Sequence, residues 1–222
     1  MNKALTNPKP VFCLASGSTP AKGYELFAQN NKQSLDNLKI VSLDEWVGIE
    51  QENVGSCYQM LNQDLFSKLD LISEQITFYD GTASNLNDEC GRIDNFIQQN
   101  PITFSLMGVG MNGHIGLNEP RFPVVEKSSI VELSATTKTV AQKYFTKKTE
   151  LQLGITLGLK QIINSERVLV VITGEHKAEI VKEIFTNPLA QLPAQELLGY
   201  EQIDFYLDEA AAKYLDNEGR EN

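Results

Sequence analysis

Arg167-Val168-Leu169-Val170-Val171-Ile172 runs directly into Thr173-Gly174-Glu175-His176-Lys177-Ala178, and reading that junction decides the fold. The first half is apolar throughout and rich in β-branched residues. It does not alternate, as a strand with one wet face would, so it reads as a strand buried on both faces, the mark of a parallel sheet. The second half is a short glycine-containing turn opening a helical pattern over residues 178–185. A buried strand feeding a helix is half of a βαβ unit.

The same junction recurs along the chain. Residues 10–15 form a short apolar strand pattern, and Ser16-Gly17-Ser18-Thr19-Pro20 leads into a helical pattern over 21–29. Thr19 is the expected N-cap there, with Pro20 at the first helical position. Further strands are expected at 38–43, 76–79, 102–106, 129–133 and 203–207. Helices are expected at 56–69, 85–98, 135–145, 154–163, 193–198 and 208–215. The helix at 154–163 is weakened by Gly154 and Gly158. Alternation from end to end predicts an α/β fold, a mainly parallel sheet with helices on both faces. The expectation is one domain over residues 1–222, with 1–9 a short leading segment and 216–222 a frayed charged tail.

Composition narrows the function. The chain has 222 residues, 41% hydrophobic and 22% charged, with a formal net charge of −10. That charge disfavours nucleic acid and anionic membrane surfaces as partners. No apolar run is long enough to span a bilayer, and the polar start lacks a signal core. Three separated cysteines without a CxxC pair suit a reducing compartment, so a cytoplasmic enzyme is expected, with no disulfide or zinc cage. With two histidines in separate loops, no metal site is expected. A homo-oligomer is left open.

Ligands of such sheets bind beyond the carboxyl ends of the strands. Four loops end strands there: 16–19, 44–46, 108–119 and 173–177. Ser16, Gly17, Ser18 and Thr19 crowd a helix start, whose free N–H groups suit a phosphate. Lys177 sits at another helix start, as a phosphate partner or a solvated charge. Lys143 is a weaker phosphate candidate, in competition with Lys138, Lys147 and Lys148. His176 reads as a surface residue. Asp44 ends a strand, either as turn chemistry or as a base, and Trp46 either walls the pocket or packs in the core.

The densest loop is Gly108-Val109-Gly110-Met111-Asn112-Gly113-His114-Ile115-Gly116-Leu117-Asn118-Glu119-Pro120. Its GxGxxG start is a false nucleotide fingerprint, because no helix pattern opens at the third glycine. His114 titrates near neutrality and can exchange a proton with a sugar ring oxygen, while Glu119 can orient it. There is no GxSxG elbow and no P-loop.

Leu14–Pro20, Leu43–Gly48, Gly108–Pro120 and Thr173–Ala178 together resemble the motifs of the glucosamine-6-phosphate deaminase/isomerase family. That family shares a three-layer Rossmann-like fold with 6-phosphogluconolactonase. The resemblance covers nearly the whole chain. Asp44-Glu45-Trp46-Val47, Asn112–Pro120 and Gly154-Ile155-Thr156-Leu157-Gly158-Leu159-Lys160 resemble the galactosamine-6-phosphate isomerase branch. The resemblance implies that Asp44 moves a proton between C2 and C1 of the open-chain sugar. His114 would assist ring opening, supported by Glu119. The ketose imine would lose ammonia to water. Ser16 to Thr19 and Lys177 would hold the 6-phosphate, and no cofactor would be needed.

Two departures from that pattern set expectations. Glucosamine-6-phosphate deaminases usually carry aspartate where this chain has Asn112. An amide orients His114 without adding charge, so a lower imidazole pKa is expected. Relatives also carry a helix before the first strand, which raises the expectation of a shortened start and of exposed apolar surface near the first helix. A lactonase is the second reading, disfavoured by Asn118-Glu119-Pro120. A non-catalytic sugar-phosphate sensor is the third.

Overall fold

The computed structural model describes residues 1–31, 35–120 and 124–215. In chain order it contains β1 (Val11–Leu14), α1 (Ser18–Asn30), β2 (Lys39–Ser42), β3 (Asp44–Trp46), α2 (Cys57–Asp64), β4 (Ile76–Thr77), α3 (Leu86–Gln99), β5 (Phe104–Gly108), β6 (Ser129–Glu132), α4 (Ala135–Ala141), β7 (Leu153–Thr156), α5 (Leu159–Ile163), β8 (Val168–Ile172), α6 (Ala178–Thr186) and β9 (Ile203–Leu207). Residues 216–222, expected to fray, lie outside the described part.

Six strands form one wholly parallel sheet in the order β4-β2-β1-β5-β8-β9. The winding reverses between β1 and β5, and the crevice at such a reversal is where α/β sheets bind ligands. Side chains alternate across the sheet. Val11, Cys13, Val168 and Val170 pack on one face with Ile93 of α3, Ile162 of α5 and Val181 of α6. Phe12, Leu14, Ile40 and Phe104 pack on the other with Tyr24 and Phe27 of α1 and Leu61 of α2. Helices therefore cover both faces, as expected. Burying each such large apolar side chain contributes roughly 1.5–3 kcal/mol. Among the described residues no helix is long and apolar enough to cross a membrane.

Several expectations are corrected. Residues 44–46 were expected as a loop, but they are β3, which pairs antiparallel with β7 in a second sheet of order β3-β7-β6. Residues 153–156 are that strand β7, so no helix runs over 154–163; the helix begins only at Leu159. The glycines explain the difference. A Cβ at Gly154 would lie 2.3 Å from Leu117 Cδ1, and one at Gly158 would lie 2.6 Å from the carbonyl oxygens of Lys127 and Val125. They permit close approach and are not helix defects.

The cap of α1 is Gly17 at φ 96°, not Thr19, because the chain enters the helix two residues earlier than the proline suggests. Residues 208–215 form turns, not a helix; the Asp208 carboxylate accepts the N–H groups of Gly174 and Ala211, fixing a turn between two loops. At the N-terminus a 3-10 turn spans Asn2–Thr6, and Met1, Ala4 and Leu5 pack against the α1 face of the sheet. That segment covers part of the apolar surface beside the first helix, while Leu26 of α1 stays 48% exposed, in line with the exposure expected there.

Candidate active site

A cavity of about 460 Å³ opens where β1 and β5 diverge. Loops after β1, β5 and β8 form one wall, and β3 forms the other. Ser16, Gly17, Ser18, Thr19, Asp44, His114, Lys143 and Lys177 all line it. The four loops that were expected to converge do so.

One end is built to receive an anion. The start of α1 lines the cavity, and Gly17 has no side chain with which to cap the N–H groups of the first turn. Those groups and the positive end of the helix dipole suit a phosphate. Lys177 Nζ donates to the Val109 carbonyl at 2.6 Å, which holds the ammonium at the mouth of the β5 loop. Burial, then the nearby Lys143 ammonium, hold Lys177 down to about 8. Tyr144, which sequence reading missed, sets its hydroxyl against Gly17, where a Cβ would meet it at 3.0 Å. His176 is exposed and lies at the cavity rim.

β3 carries two buried carboxyls, of which Asp44 lines the cavity and shares the Cys57 thiol with Ser16 of the loop after β1. Asp44 is 8% exposed and Glu45 fully buried. Burial pushes Asp44 up to about 7, opposed only by a hydrogen bond from the Cys57 thiol. Asp44 is thus poised to take or give a proton near neutrality. Glu45 accepts the backbone N–H groups of Trp46, Cys57 and Tyr58, tying β3 to the start of α2. Burial pushes it up to about 7 despite those three donors. Trp46 is 5% exposed, donates Nε1–H to the Gly55 carbonyl and also borders the cavity, so both of its expected roles hold.

The loop after β5 folds around His114. Gly113 at φ 82° and Gly116 at φ 59° take left-handed backbone that glycine allows. A Cβ at Gly110 would lie 2.3 Å from the His114 ring, so that glycine makes room for the imidazole. Gly110 N–H donates to the His114 carbonyl, and Asn118 anchors the loop to the carbonyls of Ile115 and Leu157. His114 Nδ1 lies 3.1 Å from Thr137 Oγ1 and 3.9 Å from Glu119 Oε2. Burial holds the imidazole down to about 4, against the raising influence of Glu119 and with a further lowering from Lys177. Burial is thus the main cause of the low value; the expected difference between an amide and a carboxylate at position 112 is a separate matter, which Asn112→Asp tests.

Asn112 does not orient the ring directly. Its Nδ2 donates to Glu119 Oε2 at 2.7 Å and to Ser134 Oγ at 3.0 Å, while its Oδ1 accepts the His114 backbone N–H. Glu119 is 2% exposed and also accepts the Ser134 N–H. Glu119 and Asn112 therefore stand behind the histidine and do not line the main cavity. Ser134 and Thr137 escaped sequence reading. Their only signal is a helix-capping pair, in which the Thr137 N–H donates to the Ser134 hydroxyl. Among the described residues no three His, Cys, Asp or Glu side chains cluster as a metal would require.

A buried carboxyl, an imidazole and two lysines around one crevice suit proton movement on a small phosphorylated molecule. Comparison with known proteins agrees. Residues 2–204 match the sequence profile of glucosamine-6-phosphate isomerases/6-phosphogluconolactonase. The chain is 32% identical to glucosamine-6-phosphate deaminase of Halalkalibacterium halodurans, over 95% of this chain and 88% of that protein. It is 30% identical to the Streptococcus uberis enzyme of the same name, over 97% and 92%. A solved structure of a monomeric glucosamine-6-phosphate deaminase superposes with a TM-score of 0.89 at 28% identity, covering 96% of this chain and 90% of that one. The 6-phosphogluconolactonase from Thermotoga maritima shares the fold, with a TM-score of 0.73 at 21% identity over 93% and 89%. The chain belongs to the family of glucosamine-6-phosphate isomerases and 6-phosphogluconolactonases.

Proposed function

We propose that the chain is a hexosamine-6-phosphate isomerase/deaminase, converting galactosamine 6-phosphate or its glucosamine epimer to the ketose 6-phosphate and ammonia. The observation that carries this reading is Asp44. It is a buried carboxyl pushed up to about 7, and it shares its cavity with His114 and with an anion-binding end. The phosphate sits at the start of α1 with Lys177 and Lys143, and the sugar extends toward Asp44. His114, backed by Glu119, assists opening of the pyranose ring. In the open chain Asp44 removes the C2 proton and returns it to C1, leaving a ketose imine. Water adds at C2 and ammonia leaves. The reaction as written needs no cofactor, and the ligand is a small sugar phosphate.

The deaminase relatives support the hexosamine class. The galactosamine preference is supported by the Asp44–Val47 and Gly154–Lys160 segments, the latter being β7 and its exit beneath the Asp44 wall. Lactone hydrolysis is the second reading, supported by the shared fold and by a family profile that spans both activities, but by none of the relatives at 30% identity or more reported above. The polar run Asn118-Glu119-Pro120 after the histidine speaks against it. Ammonia release from both hexosamine 6-phosphates, beside hydrolysis of the phosphogluconolactone, tests the proposal. Ammonia from galactosamine 6-phosphate at the higher kcat/KM is expected; ammonia from neither sugar would sink it.

A further inference from the structure

The hydrogen bonds behind His114 run in one direction. Asn112 Nδ2 donates to Ser134 Oγ, and so does the Thr137 backbone N–H. Neither donor can turn around, because an amide nitrogen offers only protons. The amide itself is held the right way by partners on both sides, the Glu119 carboxylate at Nδ2 and the His114 N–H at Oδ1. The Ser134 hydroxyl therefore accepts twice and gives its single proton to Thr137 Oγ1, 3.0 Å away. Thr137 Oγ1, having accepted that proton, has its own left to give, and His114 Nδ1 lies 3.1 Å from it. Glu119 Oε2, at 3.9 Å, is beyond hydrogen-bond reach of Nδ1. Nδ1 is thus an acceptor and the ring proton is on Nε2. That atom has no protein partner among the described residues and lies beside Gly110 in the cavity.

We propose that Asn112, Ser134 and Thr137 form a one-way chain of donors that holds His114 as a neutral imidazole protonated at Nε2. Thr137 is its positioning residue, and His114 meets the substrate as a hydrogen-bond donor. An imidazolium would need Nδ1 to donate, which would leave two hydroxyl protons competing for places already filled. The charged groups that face the ring are Glu119 and Lys177, and burial outweighs the favourable one. In ring opening the C1 hydroxyl gives its proton to water, the C1 carbonyl forms as the bond from C1 to the ring oxygen breaks, and the Nε2–H stabilises the negative charge on that oxygen until it takes a proton from water. The titrating proton carrier of the cavity is then Asp44. The kinetic part of this proposal rests on the hexosamine-phosphate reading; the tautomer does not.

The test is 15N NMR of histidine-labelled protein at pH 7, which holds only two histidines and is assigned with His176→Gln. We expect His114 to show a pyridine-type Nδ1 and a pyrrole-type Nε2. Thr137→Val keeps the shape and the backbone cap but removes the donor. It should mix the tautomers and lower kcat about tenfold with KM within about twofold, and Thr137→Ser should restore both. Asn112→Asp supplies an acceptor at the root of the chain, so the ring proton should move to Nδ1 or a second proton appear. A wild-type Nδ1–H tautomer or imidazolium overturns the proposal, as does a Thr137→Val spectrum identical to wild type. The spectra need no substrate. A protein with the expected tautomer that releases no ammonia therefore overturns the function alone.

Discussion

The two walls of the cavity are made differently. The proposed anion end is assembled from the carboxyl ends of parallel strands, and it offers the backbone N–H groups that open α1, Lys177 at the start of α6 and Lys143 beyond the end of α4. The proton-moving wall is a three-residue strand, β3, held by antiparallel pairing of Asp44 with Thr156 and by Glu45 at the start of α2. The first wall follows from the sheet's winding and needs few special side chains. The second buries two carboxyls that have no salt bridge among the described residues, so its chemistry depends on long-range packing. Binding should therefore survive damage to the second wall, and turnover should not.

The largest expected effect comes from Asp44→Asn. Turnover should fall about a thousandfold or more, while sugar-phosphate binding by calorimetry stays within a few fold. Full turnover by this variant would remove Asp44 as the base. The same variant reports on stability. Asp44 is raised to about 7, so the folded state holds the proton more tightly than the unfolded chain. Stability from this group is present below about pH 4 and is lost as pH rises through about 7. Asp44→Asn should accordingly melt roughly 3–6 °C higher than wild type at pH 8 and near wild type at pH 4. A constant difference across that range would break the argument.

Lys177→Met comes next, as the test of the anion wall. KM should rise about a hundredfold with kcat changed far less. With Lys177 held down to about 8, kcat/KM of the wild type should rise through about pH 7 with Asp44 and fall above about pH 8. The falling limb should vanish in the variant, and its persistence would assign that limb elsewhere. The smallest effect is expected at the seam between the walls. In Gly110→Ala a methyl 2.3 Å from the His114 ring must displace it, lowering kcat about tenfold with phosphate affinity unchanged. A crystal structure of that variant with the ring unmoved would refute the packing account.

The contrast between the walls also governs what could be read from sequence. β1, β5 and β8 were legible because strands buried on both faces must be apolar throughout, and the helix starts after β1 and β8 announce themselves with Gly, Ser, Thr and Lys. β3 and β7 were not. They are three and four residues long, carry polar residues or glycine, and acquire their structure only from each other across the chain. Gly154 looked like a helix breaker because its real constraint, the Leu117 side chain, lies on a distant loop. Asp44, His114 and Glu119 were legible as residue types at strand ends. Their partners were not, since Ser134 and Thr137 look like any helix cap until the loop after β5 is folded against them. Asn112 was noticed for the charge it lacks, whereas its donors to Glu119 and Ser134 appear only once the loop is folded.

The segment from Ser134 to Tyr144 touches both ends of the cavity. Thr137 meets His114 near one end of it, and Tyr144, with the Lys143 ammonium over its ring, borders the Gly17 turn at the other. Since α4 runs straight on into its closing turn, the segment should act, on the proposed reading, as a calliper set to one span between anion and imidazole. A pentose 5-phosphate, one carbon shorter, should seat its phosphate yet leave its first carbon short of the jaws. It should compete with the hexosamine while yielding no ketose, and turnover of the shorter sugar would show that the segment bends.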